Sequence, residues 1–377
     1  MERYDVAVVG AGPAGSAAAL AACRAGVRVV MIDRSEFPRD KPCGDGIAPH
    51  ALDVLAGLGV TGAVDGFAPV PALRLVSPGG EVVARSLARP AHTVPRTVFD
   101  ARLVAAALAA GAVWRRRTVR SLRSDGESVA LDGASVSARV VIGADGAGSV
   151  VRRHLGHARN PDGHLALAIR GYAAQPAGPQ EQRIVTAAPQ WPAYAWAFPI
   201  GDGRANIGYG EVLRGHPVSR AHLLDRLAAL LPDVDVAGAT ALRAHLLPLS
   251  TRRPPPGRGP VLLAGDALSL INPFTGEGIF YAVRSGASAG AAAAAAVEAD
   301  APGTAARRYA ADLDRRLRRH LRHSGVAAAL GRRRRMVDAA VRAAREHQAV
   351  FDTMVELGLG DGTLTARTLA RIATRLR

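Results

Sequence analysis

Three patterns predict an α/β chain: a nucleotide-binding domain built from separated segments, interrupted by a strand-rich domain and followed by a helical C-terminal region. The first is a strand, glycine turn, helix and second strand between Tyr4 and Asp33. The second is a run of strand patterns from His164 to Pro248. The third is helical periodicity from Thr304 onward, with arginine on the polar faces. At 377 residues the chain is long enough for two or three domains and a large core.

Tyr4–Val9 is an apolar run ending at Gly10, and Pro13–Arg24 follows as a small-residue helix pattern. Val27–Ile32 is a second apolar strand closed by Asp33, which completes a β-α-β unit of about 30 residues. Ala48–Leu58 reads as a helix. Ala72–Val76 and Val82–Ser86 read as paired strands closed by the turn Pro78-Gly79-Gly80. A helix from Asp100 to Ala110 leads to further strands, the last being Ala138–Ile142 before the turn Gly143-Ala144-Asp145-Gly146. One helix, Arg220–Leu231, interrupts the strand-rich block. Pro254-Pro255-Pro256-Gly257 is the clearest linker, Val261–Ala264 is a buried strand, and an Ala-rich helix begins near Gly276.

We therefore expect residues 1–70, 95–160 and 256–300 to form the nucleotide-binding domain. Residues 71–94 and 161–255 would form the inserted domain and 301–377 the helical region. Such an arrangement places a ligand cleft between the two domains.

The formal charge is +16, carried by 47 arginines and a single lysine. The arginines are scattered, clustering only at Trp114–Arg120 and Arg307–Arg345, and no nucleic-acid-binding motif accompanies them. An anionic membrane surface, or an anionic cofactor and substrate, accounts for the charge at least as well as nucleic acid, and no nucleic-acid partner is expected. No apolar run reaches the ~18 residues needed to span a bilayer. The first residues pass directly into strand pattern without a charged leader, and two cysteines, Cys23 and Cys43, make no disulfide framework. The expectation is a cytoplasmic protein, peripheral on the inner face of the membrane if attached at all.

Gly10-Ala11-Gly12-Pro13-Ala14-Gly15 follows a strand and opens a helix, the context a dinucleotide fingerprint requires. Gly10 permits the tight turn, Gly12 lets backbone approach a pyrophosphate, and Gly15 allows close helix–sheet packing. Asp33, at the second strand's end, can accept from ribose hydroxyls. This fingerprint serves NAD and FAD alike, and a later segment separates them. Asp266 ends a buried strand where it can accept from a ribityl hydroxyl. Gly276 and Gly278 start a helix whose amides can approach a flavin ring. With the turn containing Asp145, these segments resemble the three FAD-contact regions of p-hydroxybenzoate-hydroxylase-like flavoproteins. No second glycine fingerprint exists, so NAD(P)H or another reductant would have to bind transiently.

The loop Phe37–Gly46 holds the lone Lys41 and Cys43 together. Lys41-Pro42-Cys43-Gly44-Asp45-Gly46 resembles the corresponding loop of the geranylgeranyl reductase family. Tyr194-Ala195-Trp196-Ala197-Phe198-Pro199, followed by Gly208-Tyr209-Gly210, is similar to that family's substrate-domain signature. The resemblance runs from Tyr4 to about Gly360, and Phe351–Thr363 is similar to the ending of its menaquinone-reductase branch. It implies FAD contacts at Ala14, Asp33, Cys43, Gly44, Gly46, Arg96, Val119, Asp266, Gly278 and Ile279. Asp33 departs from the more usual Glu, and Arg96 would sit just before a helix starting at Phe99-Asp100.

The implied activity is saturation of prenyl carbon–carbon double bonds by hydride from reduced FAD. Tyr194, Trp196 and Phe198 would form a wall for a hydrophobic isoprenoid, with Gly208 and Gly210 in the same substrate site. Cys43, Tyr194 and Trp196 are the catalytic candidates, Cys43 for positioning or proton delivery, and Lys41 could neutralise a phosphate. A monooxygenase acting on an apolar metabolite is the alternative, because fold does not choose the reaction. A non-enzymatic prenyl-binding escort is a third reading. No metal is expected, since His154, His157 and His164 lack ligand spacing. The oligomeric state is left open.

Overall fold

The computed structural model describes residues 1–124, 126–187 and 191–376. Its first part runs β1 (Glu2–Val9), α1 (Pro13–Arg24), β2 (Val29–Asp33), β3 (Gly46–Ile47), α2 (Pro49–Gly57), β4 (Val70–Val76) and β5 (Val82–Thr93). Then come α3 (Arg96–Ala109), β6 (Val113–Arg116), β7 (Ser121–Ser124), β8 (Val129–Asp132), β9 (Val136–Gly143) and α4 (Val150–His154). The strand-rich block contains β10 (Leu165–Ala174), β11 (Glu181–Thr186), β12 (Ala193–Pro199), β13 (Arg204–Val212), α5 (Arg220–Leu230) and β14 (Thr240–Pro248). The chain returns through β15 (Gly257–Arg258) and β16 (Val261–Leu263). It ends in α6 (Ile279–Glu298), α7 (Ala305–Gly331), α8 (Arg334–Glu346), α9 (Gln348–Leu359) and α10 (Ala366–Ala373).

Two sheets result, drawn from interleaved parts of the chain. In the first, β1 pairs in parallel with both β2 and β9, placing Val6 between Val29 and Val140. Val6, Val8, Val30 and Met31 are wholly buried, as expected of a parallel strand covered on both faces. The second sheet has the order β14-β10-β13-β12-β11-β4-β5-β3 and is antiparallel except where β11 meets β4. Alternation along β12 sorts its side chains. Ala193, Ala195 and Ala197 pack with Leu223 and Leu227 of α5, while Tyr194, Trp196 and Phe198 line the cavity on the other face.

The inter-helix contact that sets the frame is α1 against α6. A Cβ at Gly286 would lie 2.0 Å from the Ala14 carbonyl oxygen, and one at Gly290 would lie 2.1 Å from that of Ala18. Only glycine lets the two backbones approach this closely, which ties the start of α1 to α6.

Three elements differ from the sequence reading. The helix expected from Asp100 begins at Arg96, so Arg96 belongs to its first turn rather than preceding it. β5 extends to Thr93, because its far end pairs with Gly46-Ile47. The Pro254–Gly257 segment is no free linker. Pro256 accepts from the Leu263 amide, and Gly257-Arg258 pairs with β16.

Candidate active site

A cavity of about 1360 Å³ lies between the two sheets, and most of the candidate residues line it. Its polar end is the glycine turn. Gly10 has φ +95°, and a Cβ there would meet the Ala144 carbonyl at 2.4 Å. Gly15 does not line the cavity. It packs where a Cβ would fall 1.8 Å from the Gly10 carbonyl oxygen, which is the helix–sheet contact expected of it. The first turn of α1 has no side-chain cap, leaving its amides for a ligand. The Arg39 and Arg96 guanidinium nitrogens lie 3.4 and 3.9 Å from where a Gly12 Cβ would be. Asp33 accepts from the Ala11 and Ser35 amides, both at 2.9 Å, which orients its carboxylate beside the turn.

Arg96 is held by Asp100 through bonds of 2.5 and 2.8 Å, and Arg39 reaches the same carboxylate at 3.3 Å. Asp100 is wholly buried. Two cations therefore share one buried anion and leave net positive charge over the glycine turn, which suits a diphosphate.

The second half of the Phe37–Gly46 loop is anchored on the second sheet, while Phe37 packs edge-on against Trp114 and Arg39 reaches Asp100. Arg170, itself buried, pairs with Asp40 and donates to the Ala241 carbonyl at 3.0 Å. Asp45 adopts φ +59°, a left-handed conformation Asp tolerates. Its Oδ2 accepts from Tyr172 at 2.6 Å and from Asn206 at 2.8 Å. Asn206 also donates to the Cys43 carbonyl at 2.9 Å and accepts from Trp196 Nε1 at 2.8 Å. Burial pushes the Asp45 carboxyl up to about 6.

Sequence reasoning missed Asn206, because a lone Asn in a strand carries no motif. Lys41 Nζ meets His245 Nε2 on β14, another partner the sequence does not announce. Burial lowers Lys41 to about 8 and, with the lysine charge beside it, pushes His245 down to about 4. The pair therefore carries one positive charge at neutral pH, on Lys41.

Cys43, Gly44, Gly46, Asp266, Glu277, Gly278 and Ile279 line the middle of the cavity, and Val119 lines it beside Thr118. Burial raises the Cys43 thiol against the opposing pull of Arg96, so Cys43 remains protonated. Glu277 was not singled out from the sequence. Its Oε1 accepts from the Phe280 amide at 2.7 Å at the start of α6. Burial raises its carboxyl to about 7 despite the Phe280 and Ile279 amides and Arg96.

A carboxyl raised in the folded state adds stability below its ordinary value of 4.5, and that contribution is lost as pH rises through about 7. In flavin-free protein, wild type is expected to lose on the order of 1–3 kcal/mol relative to Glu277→Gln between pH 5 and 8. Urea melts of both proteins at the two pH values check this. A pH-independent difference would mean Glu277 titrates in the ordinary range.

The three catalytic candidates separate here. Tyr194 donates its hydroxyl proton to the Thr275 carbonyl, and Trp196 Nε1 is committed to Asn206. Both polar groups are thus engaged within the cavity wall, and Cys43 keeps a proton that no described acceptor takes. Gly210 lines the cavity, but Gly208 does not. A Cβ at Gly208 would strike the Trp196 ring at 2.1 Å, so this glycine makes room for the indole. Asp145 reaches the cavity edge, yet its carboxylate is occupied by Ser149 Oγ at 2.5 Å and the Val150 amide at 2.6 Å. It caps the start of α4.

Beyond Trp196 and Phe198 the cavity becomes an apolar arm, walled by Leu73, Leu75, Ile184, Val337, Val341 and Met354. One wall is the second sheet and the other the C-terminal helices. No cluster of metal ligands exists among the described residues.

The uncapped α1 terminus, the arginine pair over Gly12 and the Asp33 carboxylate fit a dinucleotide with a diphosphate. The α6 terminus with Gly278 fits the flavin end of FAD. Residues 3–190 match the model of an FAD binding domain family. The chain is 35% identical over 306 residues to a menaquinone reductase of Mycolicibacterium smegmatis, covering 75% of each chain. It is 34% identical over 317 residues to digeranylgeranylglycerophospholipid reductase 1 of Methanopyrus kandleri, covering 79% of this chain and 82% of the other. The fold superposes on a geranylgeranyl bacteriochlorophyll reductase-like protein from Thermoplasma acidophilum with a TM-score of 0.84. That match has 23% identity and covers 100% of this chain and 97% of the other.

Proposed function

We propose that this chain, which belongs to the geranylgeranyl reductase family of FAD-dependent oxidoreductases, saturates carbon–carbon double bonds of a prenyl chain. The observation that carries the reading is the continuity of one cavity. A cationic dinucleotide end and an apolar arm meet at Cys43, Trp196 and Phe198. When bound and reduced, FAD supplies the hydride. Arg39, Arg96, Asp33 and the first turns of α1 and α6 would hold it, with Cys43, Gly44, Gly46, Val119, Asp266, Gly278 and Ile279 around it.

The remaining work falls to this chain's own side chains. An isolated alkene has no polar group to grip, so orientation must come from shape. The arm supplies it with branched aliphatic walls, and Tyr194, Trp196 and Phe198 supply a flat face. The same walls exclude water from the reacting carbons. Two groups at the junction carry protons, the Cys43 thiol and the Glu277 carboxyl. We assign Cys43 to proton delivery, because it sits on the loop facing the aromatic wall. Lys41, the one charged group of the His245 pair, would meet an anionic group of substrate or cofactor.

NAD(P)H or another reductant would dock transiently. Among the described helices none is long and apolar enough to cross a membrane. We place the enzyme on the cytoplasmic side, at the inner face of the membrane, where long prenyl chains reside.

Dithionite-reduced enzyme, incubated without oxygen with a panel of prenyl quinones, diphosphates and lipids, is expected to yield a product heavier by two hydrogen atoms. A monooxygenase would stall under these conditions and turn over only when oxygen is admitted, and that result would overturn the assignment.

A further inference from the structure

We propose that the exposed face of α7 and the arginine run after it form a docking surface for an anionic lipid bilayer, set at the mouth of the apolar arm. The proposal rests on the prenyl-reductase reading and deepens it by naming where the substrate comes from.

Ala328, Gly331 and Arg332, at the end of α7, form part of the cavity wall. Trp191 Nε1 donates to the Gly331 carbonyl and holds this end of the helix against the second sheet. On the outside of the same helix, Arg315, Arg319, Arg322, Val326 and Ala329 are exposed at spacings of three and four residues, so they share one face. Val326 is 52% exposed, more than any other large apolar residue described except Met1. Arginines flank this apolar tip on both sides, at 318, 319 and 322 before it and 332–335 after it, all exposed.

The charges at these positions are not consumed internally. Arg315 and Arg316 pair with Asp312, but Arg318, Arg319, Arg322 and Arg332–Arg335 have no ion-pair partner among the described residues. A nucleic acid would use the charge and leave the apolar tip without a role. A bilayer uses both, since Val326 and Ala329 enter the headgroup boundary while the guanidinium groups meet anionic headgroups. A hydrophobic chain leaving the lipid could then pass into the arm without crossing water.

The test uses the full FAD-loaded chain and sedimentation with vesicles of phosphatidylcholine alone or mixed with phosphatidylglycerol. Wild type is expected to bind the anionic vesicles, to release them as salt rises, and to ignore the neutral ones. The triple variant Arg333→Gln, Arg334→Gln, Arg335→Gln is expected to bind roughly a hundredfold more weakly, from about 1 kcal/mol per arginine. Val326→Asp should also weaken binding, and melting curves with flavin content confirm that both variants are folded.

Turnover of a short prenyl substrate in detergent should match wild type in both variants, and turnover of vesicle-embedded substrate should fall. Equal vesicle binding by wild type and the triple variant overturns the proposal. So does capture of an RNA oligonucleotide without vesicle binding, which would assign the surface to nucleic acid. Intact vesicle binding with no turnover of any prenyl compound would leave the docking surface standing and remove the prenyl-reductase reading.

Discussion

Arg96→Met is expected to yield a protein about 3–5 kcal/mol less stable that purifies without flavin. Arg96 is 7% exposed, and its partner Asp100 is fully buried. Removing the arginine leaves that carboxylate with only the 3.3 Å contact to Arg39, and an under-compensated buried charge costs about this much. The same change removes one of two cations over Gly12 and the cation opposing the Cys43 thiol. Urea denaturation and the visible spectrum of the purified protein check both parts. Adding Asp100→Asn should recover most of the stability but not the flavin, a separation that a double-mutant cycle measures. Wild-type stability in Arg96→Met alone would refute the account of a shared buried anion.

Gly286→Val has the second largest expected effect. The new side chain would begin 2.0 Å from the Ala14 carbonyl oxygen, a backbone atom that cannot rotate aside. α1 and α6 must separate, at or above the upper end of the ~1–3 kcal/mol typical of overpacking. Because Ala14 lies in the first turn of α1, the separation also displaces the phosphate-binding amides. FAD affinity should fall by about tenfold or more, read by fluorescence on titration of flavin-free protein. Gly325→Ala is the control. Nothing lies within 4 Å of its Cβ position in α7, so it should gain about 0.5–1 kcal/mol from helix propensity and leave FAD affinity unchanged. Equal behaviour of the two variants would mean that the α1–α6 contact does not position the glycine turn.

Gly286 shows where sequence reading stops. Its segment reads as an Ala-rich helix, and nothing local says which of its glycines faces another backbone. Gly15 was legible because its partner, the Gly10 carbonyl, lies in the same turn, and Gly10 because the strand–turn–helix pattern demands a tight turn there, although the Ala144 carbonyl it packs against lies far along the chain. Gly208 was legible only as half of a motif. Its placement beneath the Trp196 ring, outside the cavity lining, follows from the register of β12 on β13.

The sequence by itself determined the β-α-β unit around Gly10–Gly15, the alternation that sends Tyr194, Trp196 and Phe198 to one face, and the family. The first two depend on periods of 2 and 3.6 residues and on turn sterics, which are local, and the family rests on the resemblance of the Lys41–Gly46 and Tyr194–Gly210 motifs. Only the tertiary structure decided that Asn206 and Tyr172 hold Asp45, that His245 meets Lys41, and that Glu277 faces Cys43 across one cavity. Their partners lie far apart in the chain, more than a hundred residues away in each case, and strand order and burial brought them together. Burial then moved the carboxyl groups of Asp45 and Glu277 upward, a property no spacing in the chain encodes.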